Sequence, residues 1–177
     1  MSSSKLLLKP MENKAILNGS ETLNSAELSG FELPDFAPAQ IRTFYDLWKC
    51  RQDAGLADAA AFDVSALGKD FPLLVRVARN QKDKSLFWRD VSPNRRWPFN
   101  APVLNRPVSD LQPKAIRTRV LLTFNKVLET GVPECAEITS WMDYGQTVSL
   151  VRLVVPVQGA SGRELLALWE VVQPDNQ

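Results

Sequence analysis

Two segments near the C-terminus, Thr147 to Val157 and Arg163 to Val172, constrain the fold more than any other part of this 177-residue chain. Successive side chains of a strand point to opposite faces. In the first segment Val151, Leu153 and Val155 share one face, and Val148, Leu150 and Val154 share the other. In the second, Leu165, Ala167, Trp169 and Val171 oppose Leu166, Leu168 and Val172. Strands that are apolar on both faces need a cover on each side of their sheet. Gly159-Ala160-Ser161-Gly162 joins the two as a hairpin, and Cys135 to Met142 predicts a third strand, turning at Asp143-Tyr144-Gly145.

The covers lie upstream. Lys114 to Thr130 predicts the longest helix, with Ile116, Val120, Leu121, Phe124, Val127 and Leu128 on one stripe and Gly131-Val132-Pro133 as its stop. Asp35 to Ala54 predicts a second helix, on the spacing of Ile41, Phe44, Tyr45 and Trp48, ending at Gly55. Leu73 to Arg79 and Ser85 to Val91 predict a strand pair around the polar turn Asn80 to Lys84. Ser92 to Pro113 holds Pro93, Pro98, Pro102, Pro107 and Pro113, which forbid a long helix or a central strand and leave an irregular connection. Residues 1–30 lack periodicity and are expected to form a flexible tail. Residues 31–177 are expected to form one α+β domain: a five-stranded antiparallel sheet with helices on one face and an N-terminal helix on the other.

The chain contains no histidine. That removes His-ligated haem and zinc and every Ser-His or Cys-His nucleophile pair. Cys50 and Cys135 are too few for a zinc site and read as free, buried thiols. No metal site, cofactor motif or catalytic constellation is evident, so an enzyme ranks last. No apolar run reaches signal-peptide or membrane-span length, and a cytoplasmic protein is expected.

The order of elements resembles the PAS domain, and more narrowly the divergent single-domain PAS proteins of alphaproteobacteria. The residues that carry the resemblance are Phe44-Tyr45-Asp46-Leu47-Trp48, Asp70-Phe71-Pro72-Leu73-Leu74 and Trp88-Arg89-Asp90-Val91. They continue as Leu104-Asn105-Arg106-Pro107-Val108-Ser109-Asp110-Leu111, Leu128-Glu129-Thr130-Gly131-Val132-Pro133 and Val151-Arg152-Leu153-Val154-Val155-Pro156-Val157. The match runs from about Gln40 to Val172 and departs from the family's pattern at residues 92–102, where PAS domains wall their ligand cavity. The resemblance implies a non-enzymatic sensory or signalling module that docks a protein partner, with or without a small apolar ligand in its cavity, and homodimerises through the N-terminal helix.

Three sets of residues are candidates for function. A cavity between sheet and long helix is the first, lined by Trp88, Asp90, Phe124, Trp141, Leu153 and Trp169. The plainer reading is a core that these aromatics fill. The second is a partner or dimer face at Phe44, Leu47 and Trp48, against simple intramolecular packing. The third is residues 76–106, which carry +6 while the remainder carries −5, so the overall +1 is an average. Arg89, Arg95, Arg96 and Arg106, with aromatics between them, form a basic patch that suits nucleic acid. Its plainer reading is a solvated strand edge and loop.

Overall fold

A computed structural model describes residues 30–52, 55–93, 97, 102–141 and 147–172, without the side chains of residues 140, 141 and 147. Residues 1–29 of the expected tail therefore lie outside the described residues. Five strands, β1 (Leu74–Arg79), β2 (Leu86–Val91), β3 (Glu134–Trp141), β4 (Thr147–Gly159) and β5 (Gly162–Val172), form one sheet in the order β2-β1-β5-β4-β3. Every pairing is antiparallel. Three helices, α1 (Ala39–Cys50), the short α2 (Val64–Leu67) and α3 (Lys114–Thr130), complete the α+β, PAS-like arrangement.

Both faces of the sheet are covered. On one, Val151, Leu153, Val155, Leu166 and Leu168 pack with Ile41, Phe44, Tyr45 and Trp48 of α1. On the other, Leu150, Val154, Leu165, Ala167 and Trp169 pack with Val120, Phe124, Val127 and Leu128 of α3. The double apolar pattern of β4 and β5 therefore has a partner for each half.

Two details fix how α1 sits. Pro38 at its N-terminus provides no side-chain cap. The Glu170 carboxylate of β5 lies beside the backbone N–H groups of Ile41 and Gln40 there, with its Oε2 buried and without a hydrogen-bond partner among the described residues. Burial pushes the Glu170 carboxyl above its ordinary value, and the two backbone N–H groups offset part of the rise. At the other end the helix stops at Arg51, earlier than Gly55 predicts, where the Arg51 guanidinium lies over the Phe62 ring, 4.7 Å from its centroid. Trp48 Nε1 donates to the Pro156 carbonyl at 2.9 Å. β3 pairs with β4 only as far as Glu134 opposite Val154, so Pro156 lies past the end of β3. The indole satisfies its carbonyl there, and Ala57 accepts from the Gln158 amide at 2.8 Å two residues on.

α3 spans the residues its stripe predicts. It ends on Gly131 in the left-handed region, φ 72°, whose amide returns to the Val127 carbonyl. The proline-rich connection includes a 3₁₀ turn at Val108–Asp110, with Val108 buried beneath α3. Before that turn, the connection bonds to β2: Asn105 donates to the Trp88 carbonyl, and the Trp88 amide donates to Arg106. The outer edge of β2 is thereby paired at its centre, which blunts it against strand addition.

Candidate functional site

The residues expected to line one cavity separate into three groups. Trp88, Phe124 and Trp169 do come together. The Trp88 and Phe124 centroids are 6.0 Å apart at 83°, and those of Phe124 and Trp169 are 6.3 Å apart at 61°. Trp97 of the connection adds an edge contact to Trp169 at 5.9 Å. All three sequence-predicted rings are almost wholly buried, and these edge-to-face contacts pack them between sheet and helix.

Asp90 is a correction. Strict alternation from Leu86 and Trp88 would turn it toward α3. Arg76 pairs with Asp90 and Val77 with Trp88, so Arg89 is an extra residue on β2. That bulge shifts the strand's alternation by one. The Asp90 carboxylate consequently faces the other side, 3.6 Å from Arg76. Leu153 is a second correction. It pairs with Leu168 while Arg152 pairs with Trp169, so Leu153 belongs to the α1 core. Trp141 ends β3, and its side chain lies outside the described residues.

The dimer residues are a third correction. Phe44 and Trp48 are buried in the α1 core, 0% and 2% exposed, and Leu47 is partly buried against it. Both rings are used inside one chain, which leaves neither for a partner. Cys50 is exposed rather than buried, and Cys135 is half-buried. Burial raises the Cys135 thiol to about 11, partly offset by the charges of Arg152 and Arg42.

The basic segment is partly neutralised by carboxylates elsewhere in the fold. Glu164 of β5, 3% exposed, accepts from Arg76 Nε at 2.5 Å and from Arg89 Nη1 at 3.1 Å. Arg79 donates to Asn125 of α3, and Arg106 pairs with Asp110. Arg95 and Arg96 lie outside the described residues. Arg76, Arg89 and Arg106 already hold carboxylates and are the less available to a phosphate backbone.

Sequence reasoning missed Arg152. It lies on the α3 face of β4 between Leu150 and Val154 and is 3% exposed. Its Nη2 donates to Thr123 Oγ1 of α3 at 2.6 Å and lies 3.7 Å from Glu134 Oε1. Glu134 also accepts from Thr123 at 2.7 Å and from Lys126 at 2.9 Å. Burial raises the Glu134 carboxyl, but those two hydrogen bonds and the charges of Lys126 and Arg152 pull it below its ordinary value. The available signal was a single charge interrupting an apolar face. Among the described residues, no group of three or more His, Cys, Asp or Glu is placed to hold a metal ion.

No protein-family model matches the sequence, and no curated protein matches it. Among solved structures, the fungal blue-light photoreceptor Vivid is 16% identical with a TM-score of 0.44, covering 73% of this chain and 93% of that one. A PAS domain from Colwellia psychrerythraea is 13% identical with a TM-score of 0.38, covering 56% and 86%. The VqmA receptor of Vibrio cholerae is 12% identical with a TM-score of 0.35, covering 40% of this chain, which spans a third of the VqmA chain. Likenesses this distant carry no argument about function. The PAS-like assignment rests on the strand order and the two covering layers. Among the described residues, no helix is long and apolar enough to cross a membrane.

Proposed function

We propose that this chain is a PAS-type sensory or signalling module that acts by docking a protein partner and catalyses no reaction itself. The observation that carries the reading is the architecture: a five-stranded antiparallel sheet in the order β2-β1-β5-β4-β3 with a helical layer on each face. A homodimer is part of the proposal, formed by surfaces other than the buried rings of α1.

Native mass spectrometry of freshly purified protein, with its absorption spectrum, tests this. A homodimer, or a co-purifying protein held at defined stoichiometry, supports docking. A monomer that binds no protein but shifts single-stranded RNA at low salt, with the shift abolished by neutralising Arg95 and Arg96, sinks it in favour of nucleic-acid binding.

A further inference from the structure

Arg152 has more hydrogen-bonding capacity than its neighbours use. A guanidinium carries five N–H donors and cannot act as an acceptor. Nη2 is engaged by Thr123, but Nε and Nη1 are buried and have no hydrogen-bond partner among the described residues. Such groups are costly to leave unmet in an interior.

The charges around it do not balance either. Lys126 and Arg152 share the single carboxylate of Glu134, which leaves one positive charge over. Burial lowers the Arg152 pKa to about 10, with Glu134 and Cys135 offsetting part of the fall, so the group stays cationic at neutral pH.

Arg152 also lines a cleft of about 210 Å³ between the start of α3 and β3. Pro113, Ile116, Val120 and Ile138 supply apolar surface, and the exposed Arg119 stands among the lining residues. At ~30 Å³ of liquid volume per water, the space equals about seven waters, enough for one ring or a short branched chain. Unused donors and one surplus positive charge, set beside apolar walls, describe a receptor for a monoanion with an apolar body.

We propose that this cleft binds a small monocarboxylate, its carboxylate at the Arg152 guanidinium and its ring or branched chain against Ile116, Val120 and Ile138. The site gives the signalling module an input on the helix that covers the sheet. This rests on the sensory reading only for its purpose, because ligand binding is measured without any docking partner.

Titration of the full chain with benzoate, followed by calorimetry and by the ¹⁵N–¹H resonance of the Arg152 side chain, tests it. Benzamide, of the same shape and uncharged, is the control. Benzoate should bind saturably and shift the Arg152 resonance, and benzamide should bind at least tenfold more weakly. Arg152→Met should abolish the preference for benzoate. Ala115→Trp, placed at an exposed lining position, should block benzoate while leaving Arg152 and the core in place. Equal binding of benzoate and benzamide, no saturable benzoate binding at millimolar concentration, or full binding by Arg152→Met each overturns the assignment. A protein that binds benzoate this way but docks no partner keeps the site and loses the signalling reading.

Discussion

Replacing Trp48 by phenylalanine separates a core role for α1 from an interface role. The substitution keeps an aromatic ring but removes the Nε1 donor that meets the Pro156 carbonyl at 2.9 Å. Pro156 is buried beyond the end of β3, so no neighbouring strand replaces the lost donor. Leaving a buried acceptor unmet costs about 1–3 kcal/mol. The smaller ring also vacates roughly 40 Å³, which at ~24 cal/mol per Å³ adds about 1 kcal/mol. The total of about 2–4 kcal/mol corresponds to a fall in Tm of about 4–16 °C for a domain of this size. Urea unfolding followed by circular dichroism at two protein concentrations tenfold apart measures it. A core role gives the same loss at both concentrations. A loss below ~0.5 kcal/mol, the scale of an ordinary surface substitution, refutes the argument. So does a loss that shrinks as the protein is concentrated, because association would then be the source of the stability.

Three further outcomes follow from the charged and thiol groups. Glu164→Gln leaves Arg76 and Arg89 facing a neutral amide in a buried position; we expect a loss of about 3 kcal/mol, the low end for breaking a buried pair because Arg89 is partly solvated, read from the urea midpoint. Glu134 has a lowered folded-state pKa, so its contribution is present above the unfolded value and disappears as pH falls through the folded one. The stability gap between the native sequence and Glu134→Gln should accordingly be widest at neutral pH and close in acid below the ordinary value of 4.5, and a gap constant with pH contradicts this. Iodoacetamide at mildly alkaline pH should label exposed Cys50 well before Cys135, whose thiol is raised to about 11; peptide mass mapping over time reads the order.

Much of the architecture is legible because periodicity reports burial directly. The Ile41-Phe44-Tyr45-Trp48 stripe, the run from Lys114 to Gly131 and the two-faced strands β4 and β5 each specify an element and the side it buries. The candidate sites are less legible, because they depend on registry and on contacts remote in sequence. Nothing in Leu86-Phe87-Trp88-Arg89-Asp90 marks Arg89 as an extra residue, since the bulge exists only in the pairing with β1. The indole of Trp48 looks surplus on its own helix until Pro156, 108 residues away, is brought to it. Arg152 reads as a break in an apolar face until Thr123, 29 residues earlier, supplies a hydroxyl.

The bulge at Arg89 means that β2 is written in two frames. Up to Trp88, even-numbered residues address the α3 layer; after Arg89, odd-numbered Val91 does so. Position 89 is therefore the one place where β2 could lose a residue without reversing the faces of those that follow. Removing that one residue would set Asp90 directly after Trp88, so simple alternation would keep Asp90 on the Arg76 side and Val91 toward α3, the faces they already occupy. What position 89 contributes is chemistry rather than frame: an arginine outside the ladder, free to reach Glu164 at 3.1 Å.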